Sequence, residues 1–120
     1  MNSKRVLIVD DEADMRIFVS TVVETSGLKP VTAGDGTKAL NLARREPLSL
    51  VILDVMMPQM DGFDVLKRLR RESDIPVLML TARGEETDRI VGLEMGADDY
   101  ITKPFSNAEV VRQVKDLLSG

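Results

Sequence analysis

The stretch Leu50-Val51-Ile52-Leu53-Asp54 sets four consecutive apolar residues directly before a carboxylate. An unbroken apolar run of this length predicts a strand covered on both faces. A carboxylate at the mouth of such a strand is costly unless another group compensates it. Other segments end in the same way. Val6-Leu7-Ile8-Val9 runs into Asp10-Asp11-Glu12, Val77-Leu78-Met79-Leu80 runs into Thr81, and Tyr100-Ile101-Thr102 leads to Lys103-Pro104. Parallel α/β sheets place their ligand sites outside the carboxyl ends of the strands. An acid pair, a lone acid, a hydroxyl and an ammonium are therefore expected at one edge, a set suited to a divalent metal and a phosphoryl group.

Outward from these runs the pattern alternates. Strands are expected at about 5–9, 29–33, 49–53, 76–80 and 98–102, separated by stretches with helical periodicity. Met15, Phe18, Val19, Val22 and Val23 form one stripe. Ala39, Leu40 and Ala43 form a weaker one, Val65, Leu66 and Leu69 a third, and Val110, Val114, Leu117 and Leu118 a last one. Gly27 reads as the stop of the first helix and Ser106 as the N-cap of the last. Repeated β-α units imply a parallel sheet, because parallel neighbours need crossover helices. The second strand is less apolar and the fifth is short and carries Asp98 and Asp99, so both are expected at edges. The segment 85–95 has only a short apolar face (Ile90, Val91, Leu93) and contains Gly92, which marks it as a mobile candidate.

At 120 residues the chain is expected to form one domain over 1–120, with no second domain within it. A net charge of −4 argues against direct binding of nucleic acid or an anionic membrane. Cysteine and histidine are both absent. Their absence excludes disulfides, thiol nucleophiles, a Ser-His-Asp triad, an imidazole base and any Cys- or His-ligated metal. Phosphohistidine chemistry would need a histidine from another protein. Met1-Asn2-Ser3-Lys4-Arg5 leads into only four apolar residues before acid, which is no signal peptide. The longest apolar stretch is interrupted by Asp54 and too short to span a bilayer, so a cytoplasmic location is the expected default.

Hard cations such as Mg²⁺ take oxygen ligands, and carboxylates crowded together without a cation repel one another. Asp10, Asp11 and Asp54 fit that demand. The plainer reading of Asp10, Asp11 or Glu12 is helix capping, which is favoured for any one acid taken alone. Acids ending two strands, with a lysine after another, favour the site. Thr81 could merely cap the next helix, and Lys103 could be a solvated surface amine. Pro58 and Gly62 read as turn formers. Gly34-Asp35-Gly36-Thr37-Lys38 lacks phosphate-loop spacing and reads as a turn and helix start.

In ordered sequence, VLIVDDE at 6–12, LDVMMPQMDG at 53–62 and LTARGEETDRIVGLEMGADDYITKPF at 80–105 closely resemble the receiver domain of two-component response regulators, across essentially the whole chain. The resemblance implies a flavodoxin-like (βα)5 fold with a five-stranded parallel sheet of order 2-1-3-4-5. It implies Asp54 as phosphoacceptor. Mg²⁺, with Mn²⁺ as a substitute, would be held by Asp11, by Asp10 largely through water, by Asp54 and by the backbone carbonyl of Met56. Thr81 and Lys103 would hold phosphoryl oxygens. The donor would be a sensor histidine kinase or a histidine phosphotransfer protein. The chain would then be a signalling switch rather than an enzyme, with slow loss of phosphate to water tuned by Met56 and Arg83.

The resemblance also implies a switch in which Thr81 moves toward the phosphoryl group and Tyr100 rotates inward. Tyr100 could equally be an edge-strand aromatic that only packs. The run from Thr81 to Phe105 is especially similar to winged-helix (OmpR/PhoB-like) transcriptional regulators, which pair through this face when active. A homodimer of the phosphorylated form would use Ile90 and Leu93, with Arg89 against Glu109 and Asp98 or Asp99 against Lys115. Gln113 departs from the basic residue usual there. The competing readings are a stand-alone receiver or docking module without a DNA-binding effector, and an aspartyl-phosphate hydrolase. Such hydrolases usually carry a second acid two residues after the nucleophile, where this chain has Met56.

Overall fold

Apolar runs without polar alternation become the centre of the molecule. The computed structural model describes residues 4–55, 57, 61–81, 86–102 and 105–119, with the backbone alone for 81 and 86–89. Its elements run β1 (Arg5–Val9), α1 (Ala13–Thr25), β2 (Lys29–Ala33), α2 (Gly36–Arg45), β3 (Leu48–Asp54), α3 (Gly62–Glu72), β4 (Val77–Thr81), α4 (Glu86–Glu94), β5 (Asp99–Thr102) and α5 (Asn107–Ser119). The strands form one parallel sheet in the order β2-β1-β3-β4-β5. This is the flavodoxin-like arrangement, and β2 and β5 are its edges.

The apolar residues of β1, β3 and β4 between Val6 and Val9, Leu50 and Leu53, and Val77 and Leu80 are at most 3 % exposed. Each such side chain contributes about 1.5–3 kcal/mol by leaving water. Alternate residues serve opposite faces. Val6, Ile8, Leu50, Ile52, Leu78 and Leu80 pack with Val19, Val22 and Val23 of α1 and with Val110 and Val114 of α5. Leu7, Val9, Val51, Leu53, Val77 and Met79 pack with Leu40 of α2 and with Val65, Leu66 and Leu69 of α3. The chain leaves β1 toward β2, crosses back to β3 and then continues to β5. That reversal opens a crevice between the carboxyl ends of β1 and β3.

Local signals set the helix ends. The Asp35 carboxylate accepts from the Lys38 N–H and opens α2, and that of Asp61 accepts from the Asp64 N–H and opens α3. Ser106 and Glu109 form a reciprocal capping box at α5. Gly27, at φ +81, ends α1 as Leu28 N–H reaches back to the Val23 carbonyl. At the start of α1 the acids do not cap in the expected way. Glu12 holds the N-cap position without a side-chain bond, and Asp10 instead accepts from the Glu12 N–H.

Helix α4 turns its short apolar face outward. Ile90, Val91 and Leu93, read from sequence as its apolar face, are 48 %, 39 % and 38 % exposed. The helix meets the sheet through Gly92, where an added Cβ would lie 3.3 Å from Tyr100 and 3.4 Å from Met79 and Phe63. Bulky neighbours on the sheet side leave room for a very small residue only, so the larger apolar residues are turned out.

Candidate functional site

Two strands deliver carboxylates to the crevice. Asp54 is the last residue of β3 and 4 % exposed, and Asp10 follows β1 directly and is 5 % exposed. Among the described residues these are the buried charged groups. Val9 is paired with Leu53, so the next residues along, Asp10 and Asp54, end neighbouring strands, about 4.8 Å apart in a sheet. The Asp10 backbone is fixed from both sides: its N–H donates to the Ala33 carbonyl at 3.2 Å, and its own carbonyl accepts from Arg16 Nη1 at 2.7 Å. Its carboxylate accepts from the Glu12 N–H at 2.9 Å. Asp11 and Glu12 are exposed, and one oxygen from each of Asp10, Asp11 and Glu12 lies within 4.8 Å of the others.

An all-oxygen set anchored by a rigid buried carboxylate and opened to water by exposed ones fits a hard divalent cation. Ions that prefer thiolate or imidazole would find no ligand of that type in a chain without cysteine or histidine. Glu12 joins this group although the sequence reading left it as a capping candidate.

The remaining expected residues fall as follows. Asp54 pairs with Leu80 and Thr81 with Thr102, so the backbone of Thr81 reaches the same edge one step beyond Asp54. The Thr81 side chain lies outside the described residues, as do Met56, Arg83, Lys103 and the Arg89 side chain. Tyr100 is buried with Met79 in the core of the α2–α3 face, its ring against Gly92. The ring is therefore already inward in this structure, where the expected rotation starts from an outward ring.

Asp98 is committed within the chain. Its Oδ2 accepts from Arg70 Nη2 at 3.0 Å and from the Val77 N–H at 2.8 Å. The carboxylate thereby anchors the start of β4, while the side chain remains 41 % exposed. Asp99 Oδ1 accepts from the Tyr100 N–H, and Glu109 Oε1 serves the capping box. Lys115 is exposed on α5, and Ile90 and Leu93 are exposed on α4.

Sequence reasoning missed two supports of the site. Gly62, taken as a turn former, lies so near β3 that an added Cβ would be 2.3 Å from the Asp54 carbonyl oxygen, and its N–H donates to the Val55 carbonyl at 2.8 Å. Arg16 spans from the Asp10 carbonyl toward Gly34, where a Cβ would meet its guanidinium at 3.2 Å. A glycine just after a helix-capping aspartate was the available signal for the first. Nothing local signals the second.

A doubly wound sheet with an acid-lined crevice at its switch point defines the receiver class of signalling domains. The chain belongs to the response regulator receiver domain family, whose model matches residues 6–115. It is 50 % identical over 118 residues to the "Probable transcriptional regulator ycf27" of Cyanophora paradoxa, covering 98 % of this chain and 49 % of that protein. It is 48 % identical over 117 residues to the alkaline phosphatase synthesis transcriptional regulatory protein PhoP of Bacillus subtilis, covering 97 % of this chain and 49 % of that protein. Its fold matches the receiver domain of the Francisella response regulator 1452 with a TM-score of 0.92 and 37 % identity, over 98 % of each chain. The chain thus spans about half the length of the curated relatives it matches. Members of this family are signalling switches rather than conventional enzymes. Among the described residues, no helix is long and apolar enough to cross a membrane.

Proposed function

We propose that this chain is the phosphorylation switch of a two-component pathway, with Asp54 as phosphoacceptor. The observation that carries the reading is the pair of buried carboxylates, Asp10 and Asp54, at the ends of neighbouring strands. The Asp54 carboxylate attacks the phosphorus of a phosphohistidine on a sensor kinase or phosphotransfer protein. The P–N bond breaks as the new P–O bond forms, the imidazole leaves with the electron pair, and Asp54 becomes an acyl phosphate. The protein's part is positioning and charge neutralisation.

Asp10, Asp11 and Asp54, with the Met56 carbonyl, are assigned to hold Mg²⁺, which neutralises phosphoryl charge when bound; Mn²⁺ would serve similarly. Thr81 and Lys103 are assigned to the phosphoryl oxygens. The buried Asp10, tied through its backbone to Ala33 and Arg16, keeps the metal-facing group fixed. Absence of histidine leaves no efficient general base for hydrolysis, in keeping with a persistent phosphorylated state.

The output is assigned to α4, β5 and α5. Exposed Ile90 and Leu93 provide an apolar patch for pairing with a second phosphorylated copy, with Arg89 against Glu109 and Asp98 or Asp99 against Lys115 as bridging ions. Thr81 and Tyr100 would couple that surface to Asp54. Relatives described as transcriptional regulators support control of transcription through an effector, in the cytoplasm, with no nucleic acid or membrane bound by this segment itself.

Beryllofluoride with Mg²⁺, a phosphoryl mimic, tests the reading. Amide spectra of the wild type should change at residues beside Asp54 and along β5 and α4, and Asp54→Asn should abolish the change. A wild type indifferent to the mimic would reduce the chain to a docking module, and rapid turnover of a small phosphate ester would make it a hydrolase.

A further inference from the structure

Helix α3 and the residue that follows α4 border a depression of about 470 Å³, lined by Lys67, Arg70, Arg71 and Met95. The rotation of α4 is set by Gly92, which faces Tyr100, Met79 and Phe63. At 100° per residue Val91 falls on one flank of that helix and Leu93 on the other. Met95 lines the depression, and exposed Val91 lies one turn before it on the same flank, outside the lining. The apolar wall of the depression is therefore separate from the Leu93 flank assigned to pairing.

The facing wall is basic. Lys67 and Arg71 are one turn apart on α3 and exposed, and among the described residues neither has an ion-pair or hydrogen-bond partner. Arg70 is different. Its guanidinium donates to the carbonyls of Gly96, Ser73 and Ile75 and to the Asp98 carboxylate. Glu72, the residue after Arg71 on the same helix, is taken by Arg44. Two uncommitted cations thus stand beside the Met95 side chain, with exposed Val91 one turn before it, in a chain whose net charge is −4.

We propose that this groove docks an acidic peptide segment of another protein that also carries an apolar side chain. Carboxylates of the segment meet Lys67 and Arg71, and its apolar residue covers Val91 and Met95. Charge complementarity selects this occupant. Cations without counter-ions reject a basic partner, while a small inorganic anion would leave the apolar wall in water. The unbranched methionine adapts to the shape of the apolar residue it receives.

Titration of the isotope-labelled chain with a short peptide of Glu and Leu at helical spacing tests the proposal. The same titration is run with a Glu/Ser peptide of equal charge, with inorganic phosphate and with a single-stranded oligonucleotide. Amide shifts concentrated at 67, 71, 91 and 95 are expected for the Glu/Leu peptide alone. The double change Lys67→Glu with Arg71→Glu should weaken binding about tenfold or more. Met95→Ser should weaken it severalfold, and Ile90→Ser should leave it unchanged. These positions are exposed or half-buried, and dispersed spectra establish that each variant is folded. Equal response to the Glu/Ser peptide, to phosphate or to the oligonucleotide would overturn the proposal in favour of a nonspecific anion patch. Groove shifts that grow with protein concentration without peptide would make the occupant a second copy, and no groove response to the Glu/Leu peptide would refute docking.

Discussion

A β-carbon added to Gly62 would stand 2.3 Å from the Asp54 carbonyl oxygen and 2.7 Å from the Val55 Cα, both backbone atoms with no rotamer to yield. Gly62→Ala should therefore push α3 off the end of β3, at a cost of about 1–3 kcal/mol, typical of forced overpacking. Urea unfolding would measure the loss, and the beryllofluoride response at Asp54 should weaken with it. Wild-type stability in the alanine variant would mean that the loop after Asp54 relaxes freely. Asp10 and Asp54 were legible in sequence because a carboxylate that ends an apolar run is a local anomaly. The tight approach of Gly62 was not, since it depends on where the helix start folds back. The bond between Arg70 and Asp98 was missed for a related reason: the two lie 28 residues apart, and no local pattern announces the pair.

At the scale of elements, the central strands and most helix ends followed from local chemistry. The S-x-x-E spacing of Ser106 and Glu109 became a capping box, and uninterrupted apolar runs became β1, β3 and β4. Helix α4 shows the limit. Its apolar face was read as short, but nothing in the sequence announced that the helix would touch the sheet at a glycine, with Tyr100 and Phe63 filling the space beneath. Gly92→Val should lift α4 from that contact. The added branches meet Tyr100, Met79 and Phe63, costing about 1–3 kcal/mol, more than any helix-propensity gain over glycine. Hydrogen exchange should quicken in α4 while the amides of α1 keep their relative protection. Gly92→Ala is the control, because its Cβ contacts of 3.3–3.4 Å need only small adjustments by neighbouring side chains. Equal exchange in the valine variant and the wild type would contradict this account of how α4 is seated.

Across the whole molecule, the same parallel sheet that builds the core also concentrates charge. Every strand points its carboxyl end at one edge, so Asp10 and Asp54 converge there beside Asp11 and Glu12. The reversal of strand order between β1 and β3 opens the crevice they line. Composition indicated that the second and fifth strands lie at the edges, while the full order came from family resemblance, because strand sequence alone does not say which neighbours pair. The repulsion between the like charges of Asp10 and Asp54 opposes folding by on the order of 1–3 kcal/mol at the effective dielectric of such sites, and a bound cation relieves it. Asp54→Asn should therefore raise the urea midpoint in chelator. A cation that binds only the folded chain stabilises it by RT ln(1 + [L]/Kd), about 2.7 kcal/mol at a hundredfold excess over Kd. Added Mg²⁺ should then raise the wild-type midpoint and raise that of Asp54→Asn less, narrowing or reversing the gap between them. Parallel urea titrations in chelator and in Mg²⁺ decide the matter: equal gains in both proteins would place the cation away from Asp54, and an asparagine variant less stable in chelator would show that the carboxylates hold the fold together rather than strain it.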